Sequence, residues 1–375
     1  MIRPEHEVAD ILGRNHQILK DIVGNTWQLR TLNALAICRT SQMGGHIDKC
    51  PNKGCGHVQI SYNSCRNRHC PKCQGHKREE WIHKRESELI NAPYYHMVFT
   101  LPSEFNTYAL YKPKLLYGLL FKVAWSVIVG FASNPKFMGG QTGMISILHT
   151  WGQNLSLHPH LHCIVPGGGL KNQKWKPARG KGKYLFPVKA VSQVFRARFM
   201  EAARKHLDID RGMARELFSK NWVVYCKRPF FGAPQVVEYL GRYTHKIAIS
   251  NHRINSIDNA SVRFTAKDYR HGGKSHFITL SDREFIRRFS MHILPKGFTR
   301  IRHYGILSGS SKKASLETIR EQLGEMVYQK KEQQGHRICP VCRTHEMQTI
   351  YRFDSRGPPE KLQALLTALT GTNPI

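Results

Sequence analysis

The segment His158-Pro159-His160-Leu161-His162, continued by Cys163-Ile164-Val165, constrains the fold more than any other stretch of the chain. Histidines alternate with other residues, and this two-residue period is typical of a β-strand, in which alternate side chains leave the same face. His160 and His162 are therefore predicted to point in one direction. Two imidazoles on one strand face can bind a metal ion if a third ligand converges on them. The alternative is an ordinary strand with one histidine in solvent and the other in the core.

Excess positive charge indicates nucleic acid as the partner. The 375 residues include 57 Lys and Arg against 26 Asp and Glu, a formal net charge of +31 that is spread along the chain. Basic surface on a folded body is typical of DNA-binding proteins. The competing partner is an anionic membrane, but no apolar stretch reaches the roughly 20 residues of a spanning helix, and the first ten residues do not form a signal peptide. We expect a bacterial cytoplasmic protein with no membrane partner, associated with the nucleoid when bound to DNA.

The cysteines favour metal sites over disulfides, because the expected compartment is reducing and six of the ten cysteines lie between residues 38 and 73. Two turns, 50–55 and 70–73, have the form Cys-Pro-x(1-3)-Cys and are typical of paired zinc knuckles. Thiolates on tight turns can complete a tetrahedral Zn2+ site. The predicted zinc set is Cys50, Cys55, Cys70 and Cys73. A possible second set is Cys38, His46, Cys65 and His69, for which the alternative is buried thiols and hydrogen-bonding groups.

The composition divides the chain into three predicted regions. Residues 1–90 are predicted as a helical and zinc-knuckle DNA-binding domain, 91–308 as a domain of strands and helices that carries the histidine strand, and 309–375 as a helical tail. The tail contains Cys339-Pro340-Val341-Cys342, a single knuckle without an evident partner and a possible further zinc site.

Hydrophobic patterns predict the main elements of the middle region. Strands are expected at 94–102, 143–149 and 160–165. The stretch 115–131 is apolar nearly all round, which predicts a buried helix.

A second motif lies on a predicted helix at residues 234–246. Tyr239 and Tyr243 are four residues apart, so their phenols would share a helix face at a separation of about 6 Å. A phenol has a reference pKa of about 10 and is a poor nucleophile at neutral pH. It can attack a phosphodiester when a metal ion binds the phosphodiester oxygen and nearby cations stabilise the phenolate. The product would be a phosphotyrosine linkage that needs no ATP, and the chain contains no P-loop motif. The alternative is ordinary packing of two tyrosines.

These motifs together resemble the HUH endonucleases, which comprise rolling-circle replication initiators, relaxases and transposases. The matching order is a strand ending Phe99-Thr100-Leu101-Pro102, the His160-Leu161-His162 strand, and a helix with Tyr239 and Tyr243. With the cysteine knuckles and the segments 149–153, 285–289 and 294–305, the chain most closely resembles the two-tyrosine transposases of the insertion sequence 91 family. The resemblance extends from about residue 38 to residue 305.

The resemblance implies an α+β fold, in which an antiparallel sheet is flanked by helices. It implies a Mg2+ or Mn2+ ion bound by His160, His162 and a third ligand, for which His149 is the first candidate and Gln153 the alternative. It also implies that Tyr239 and Tyr243 cut single-stranded DNA, at hairpins near transposon ends, through 5'-phosphotyrosine intermediates in rolling-circle transposition. A plasmid replication initiator and a non-catalytic zinc-finger regulator are the alternative functions.

Cationic residues near the knuckles, near the tyrosines and in the segment 285–304 are predicted to contact DNA. In that segment arginines alternate with aromatic residues, a pattern that suits phosphates and unpaired bases. The alternative is an amphipathic helix whose aromatic side chains belong to the core. The predicted DNA-binding residues are Arg66, Arg68, Arg242, Lys246, Arg287, Arg288, Arg300 and Arg302.

Overall fold

The computed structural model describes residues 4–73, 88–180, 185–227, 241, 246–268, 272–325 and 337–358. Within these ranges it contains nine α-helices and thirteen β-strands, and the strands form four sheets. Tyr239, Arg242 and Tyr243, and with them most of the predicted helix 234–246, lie outside the described residues.

A five-stranded sheet forms the centre of the fold. In spatial order its strands are β12 (Ile301–Gly305), β4 (Gly143–Trp151), β5 (Leu157–Pro166), β3 (Tyr94–Thr100) and β8 (Val224–Cys226). Every neighbouring pair is antiparallel, which confirms the predicted α+β fold with an antiparallel sheet. The histidine strand, β5, is central and is hydrogen-bonded on both sides.

One face of the central sheet is apolar and is covered by helices. Leu161, Cys163 and Val165 of β5 lie in the main core against α5 (Pro113–Ser133) and α6 (Val188–His206). The shorter helices α4 (Asn106–Tyr111) and α7 (Arg211–Ser219) flank them. Among the described residues, α5 is the one helix long and apolar enough to cross a membrane, and 56% of its apolar window is buried. It is a core helix, as the stretch 115–131 predicted.

The opposite face of the sheet carries the alternate residues of β5, namely His160, His162 and Ile164. Because residues paired across a ladder share a face, the partners of these positions on β3 and β4 face the same way. The helix α9 (Lys312–Leu323) packs over the Ile164 end of this face. The histidines lie farther along the same strand.

A second core joins the N-terminal helices to residues 254–290, which lie between the central-sheet strands β8 and β12 in the chain. The helices α1 (Val8–Arg14), α2 (Leu19–Ile22) and α3 (Thr26–Ala36) pack against α8 (Asp282–Ser290) and a sheet of β9 (Ile254–Asp258), β10 (Ser261–Asp268) and β11 (Lys274–Ser281). The helix α8 is capped by Ser281, whose hydroxyl accepts a hydrogen bond from the Glu284 amide. An ion pair between Arg14 and Asp282 links α1 to α8.

The C-terminal segment folds back onto the N-terminal region. The strand β13 (Gln348–Phe353) adds to the edge of a hairpin formed by β1 (Gly45–Lys49) and β2 (Val58–Tyr62), so that β1 lies in the middle of this sheet. The remaining strands, β6 (Gly168–Lys171) and β7 (Lys174–Pro177), form a separate hairpin. The predicted tail therefore completes a sheet that begins about 300 residues earlier.

Candidate functional site

Three imidazoles converge on the central sheet. His149 on β4 lies directly opposite His160 on β5, and His162 lies two residues farther along the same face. One ring nitrogen from each lies within 4.8 Å of the others, and Nε2 of His160 is 3.2 Å from Nε2 of His162. These three side chains could bind one metal ion. His149, the first candidate for the third ligand, thus lies beside the pair. The backbone carbonyl of the alternative candidate, Gln153, accepts a hydrogen bond from Arg253.

The second ring nitrogens of the pair are fixed by neighbouring groups. Nδ1 of His160 lies 2.6 Å from the carbonyl oxygen of His158, to which it can only donate. Nδ1 of His162 lies 2.9 Å from Nε2 of His96 on β3. A metal-binding histidine usually has its other nitrogen held in this way, which leaves the ligand nitrogen unprotonated. His96 was not predicted as a site residue, although hydrophobic residues flank it in β3, much as they flank His162 in β5.

His96, His160 and His162 are electrically neutral at neutral pH. Burial lowers the pKa of His160 to about 4 and that of His96 to about 3. The pKa of His162 is lowered well below its usual value, first by burial and then by the charges of its neighbours, including Lys246 and Arg300. Neutral imidazole is the form that binds metal ions, so no proton has to be displaced before an ion binds.

Arg300, predicted to contact DNA, is instead buried beside the histidines. Its Nε donates to the Leu148 carbonyl at 3.1 Å, and its Nη2 donates to the carbonyl of Lys246. The guanidinium lies 5.2 Å from the ring centre of Trp151, which in turn stacks on His149 at 4.7 Å. Burial lowers the pKa of Arg300 to about 9. Because two of its donors are directed at carbonyls in the interior, this arginine supports the backbone around the histidines.

Four other predicted DNA contacts are engaged within the protein. Arg68 donates to the carbonyls of Phe298 and Pro295, and Arg302 lies over the ring of Phe121 at 4.2 Å. Both Arg287 and Arg288 pair with Glu284 on α8.

The remaining described cations of the predicted set are Arg66 and Lys246. Both are exposed, and Arg66 has a φ of +52°. After burial, the charge of Lys246 contributes to the lowered pKa of both His160 and His162, so this lysine lies in the neighbourhood of the histidines.

The structure divides eight cysteines into two groups that differ from the predicted sets. In each group all four Sγ atoms lie within 4.8 Å of one another. The predicted set of Cys50, Cys55, Cys70 and Cys73 is split between these groups and is therefore wrong as a single site. The first group is Cys38, Cys65, Cys70 and Cys73, and the second is Cys50, Cys55, Cys339 and Cys342.

The β1–β2 hairpin explains the division. The turn 50–55 connects the two strands, whereas residues 38 and 65 flank the opposite end, where the Arg39 amide donates to the Asn63 carbonyl. Strands of five residues separate the two ends by about 17 Å. The two predicted histidines are outside both groups: His46 Nε2 lies 3.2 Å from Asp48, and His69 Nε2 accepts a hydrogen bond from the Leu294 amide.

Comparison with known proteins gives matches over most of the chain. A family model described as "Transposase zinc-binding domain" matches residues 14–101, and a model described as "Putative transposase" matches residues 143–315. The chain is 39% identical to "Putative transposase y4qJ" of Sinorhizobium fredii, over 96% of this chain and 98% of the relative. It is 30% identical to "Transposase for insertion sequence element IS801" of Pseudomonas savastanoi pv. phaseolicola, over 75% of this chain and 70% of the relative. No solved structure gives a significant match.

Proposed function

Since the chain belongs to the insertion sequence 91 family of transposases, we propose that it cuts and rejoins single-stranded DNA with the help of a divalent metal ion. Membership of this family implies that the protein acts on DNA and contains a zinc-binding domain. The observation that carries the proposal is the convergence of His149, His160 and His162 on the face of the central sheet opposite α5. Because both relatives are named transposases, transposition is favoured over initiation of plasmid replication. The rolling-circle route, at hairpins near the element ends, is proposed from the family resemblance alone.

The donor set decides which ion fits best. Mg2+ prefers oxygen ligands and keeps several waters, whereas three neutral imidazoles suit ions that accept nitrogen ligands. Of the two ions expected from the sequence, we propose that Mn2+ fits better than Mg2+. When bound by His149, His160 and His162, the ion would polarise a phosphate oxygen and stabilise the charge that develops there.

The surrounding residues prepare this site for a phosphate. The carbonyl of His158 and the ring of His96 hold the two strand histidines with Nε2 available. Exposed Lys246 adds a positive charge beside them. Arg300 fixes the backbone at Leu148, which precedes His149, and at Lys246, which follows Tyr243 by three residues in the sequence.

We assign Tyr239 and Tyr243 as the nucleophiles from the family resemblance. A phenol oxygen would form a bond to phosphorus while the bond from phosphorus to the 3'-oxygen breaks. The phenol loses its proton, and the leaving oxygen gains one to become a 3'-hydroxyl. The resulting 5'-phosphotyrosine conserves the phosphodiester linkage, so rejoining needs no ATP. With two tyrosines, one could hold a strand while the other cuts the next.

Replacing both tyrosines tests this assignment. We expect Tyr239→Phe combined with Tyr243→Phe to abolish the covalent adduct with single-stranded end DNA, measured on denaturing gels in Mn2+. Binding of the same DNA should persist, because only two hydroxyl groups are removed.

Tyr225 provides a matched control. It is an exposed phenol on β8, paired with Val98 and therefore on the histidine face, with its ring 6.4 Å from that of His96. Tyr225→Phe should form adducts normally. Loss of the adduct in this variant, or its persistence in the double variant, would contradict the assignment. A non-catalytic regulator would form no adduct even as the natural protein.

A further inference from the structure

The four thiols of Cys50, Cys55, Cys339 and Cys342 lie outside the histidine site and unite two distant parts of the chain. The last two cysteines lie beyond both ranges matched by the family models, 14–101 and 143–315. Cys55 and Cys339, whose Sγ atoms approach each other, are 284 residues apart in sequence. We propose that these four cysteines form a second structural zinc site, which completes the zinc-binding domain with the C-terminal segment.

The distances between the sulfur atoms suit a tetrahedral ion. Sγ of Cys50 is 3.6 Å from that of Cys342, and Sγ of Cys55 is 3.7 Å from that of Cys339. Zinc bound to four thiolates at about 2.3 Å would separate neighbouring sulfurs by about 3.8 Å. A disulfide requires about 2.05 Å. The arrangement is therefore that of four ligands around a common centre.

The two turns that carry the thiols are built alike. The amide of Cys50 donates to the His57 carbonyl at 2.8 Å, and the amide of Cys339 donates to the His345 carbonyl at 2.8 Å. In each turn, the residue after the second cysteine has a left-handed backbone, with a φ of +57° at Gly56 and +56° at Arg343. Arginine adopts this conformation at a cost, and such conformations persist where the surrounding structure requires them. The C-terminal turn thus has the form of a zinc knuckle.

The contacts around the thiols hold the two turns together. Cys339 is fully buried and Cys50 is 2% exposed. Beside them, buried Asp48 of β1 accepts hydrogen bonds from Thr349 at 2.7 Å and from Arg337 at 2.9 Å. Pairing of β13 with β1 brings these groups into register.

Apolar packing around the site is sparse, which leaves a role for the metal. The cluster under the sheet has only Ile47 and Phe353 as buried members among the described residues, and the thiols share a small cluster with Met347. Small units with little core commonly depend on a metal ion for folding. The zinc-binding domain is therefore bipartite, and it cannot be completed before residues 337–353 have been synthesised.

Metal content of the full chain tests this inference. We expect two zinc ions per natural chain and one in the variant with Cys339→Ser and Cys342→Ser. The matched control is Cys226→Ser, which removes a half-buried cysteine of β8 and should keep two. Two zinc ions in the double variant would overturn the proposal. The readout is independent of DNA cleavage, so failure here is distinguishable from failure of the proposed function.

Alkylation of the natural protein covers the case in which the double variant does not fold. Cys342 is partly exposed, so its reaction with iodoacetamide reports on coordination. We expect Cys339 and Cys342 to be protected in the zinc-loaded protein and to react after chelation, while Cys226 reacts in both states. Equal reaction of Cys342 before and after chelation would overturn the proposal. Protection that only a disulfide reductant removes would also overturn it, since the thiols would then be oxidised.

Discussion

The histidine group and the thiol groups hold their ligands in different ways. His149, His160 and His162 lie on adjacent strands of the central sheet, where backbone hydrogen bonds fix their spacing. The thiols lie largely on turns, such as 50–55 and 70–73, outside the sheets. A ladder sets ligand positions before any ion arrives, whereas ligands on turns depend on the ion for their own order. The histidine group is thus suited to chemistry, and the thiol groups are suited to holding the fold together.

The two thiol groups also differ from each other. Cys38, Cys70 and Cys73 belong to the second core, which also contains Leu155, Phe285 and Phe289 from the range 143–315 that the "Putative transposase" model matches. The second group shares only a small cluster with Met347. We therefore expect the first group to couple the zinc-binding domain to the second core, and the second group to hold the C-terminal segment in place.

The largest predicted effect distinguishes the histidine group from the thiol groups by activity and by thermal stability. His160→Ala with His162→Ala should lower the rate of adduct formation by roughly 10³-fold, because an ion stabilises the reacting phosphate by several kcal/mol. Its Tm should stay within a few degrees of the natural protein, because the sheet does not need the ion. Cys70→Ser with Cys73→Ser should instead lower the Tm by roughly 10 °C.

Thermal unfolding and the adduct assay, measured on both variants, check this contrast. A fall in Tm for the histidine variant as large as that for the cysteine variant would remove the distinction between the groups. Equal activity of the histidine variant and the natural protein would show that the strand histidines do not serve the reaction.

The sequence predicted what is local and missed what depends on non-local pairing. The shared direction of His160 and His162 follows from the two-residue period of one strand, and α5 follows from its apolar length. His96 was missed because its role depends on β3 lying next to β5. The cysteine spacing showed which thiols share a turn, but not which turns meet, since β13 must first pair with β1. Charge alone could not separate buried Arg300 from an arginine at the surface.

A smaller effect is predicted for His96, which holds His162 without reaching the reacting atoms. His96→Ala should weaken Mn2+ binding by about 10- to 100-fold, as is typical when the group behind a metal-binding histidine is removed. The rate at saturating Mn2+ should change little, because the three proposed ligands remain. The Mn2+ concentration for half-maximal adduct formation measures this, with His276→Ala on the exposed part of β11 as control. An unchanged Mn2+ concentration for half-maximal adduct formation would show that the backbone hydrogen bonds of the sheet alone orient His162.

The smallest predicted effect is a loss of stability at low pH, caused by a buried neutral histidine next to the three-histidine group. His292 lies under Trp151, with Nδ1 3.1 Å from the Thr150 hydroxyl and Nε2 3.0 Å from the Leu155 carbonyl. Burial lowers its pKa to about 4, while the unfolded chain has a histidine pKa of about 6.5. Between these values the unfolded chain binds a proton that the folded chain does not, so stability is lost as the pH falls.

At pH 5 this single histidine should destabilise the fold by about 2 kcal/mol relative to pH 7.5. His292→Gln should therefore show a smaller fall in Tm over this range than the natural protein, even if it is less stable at pH 7.5. His69 lies beside His292, and its pKa is lowered first by burial and then by its charged neighbours, including His292, so the comparison reports on the two histidines together. Identical pH profiles of Tm would mean that His292 accepts a proton without unfolding, and the histidine face would then be less rigid than the ladder suggests.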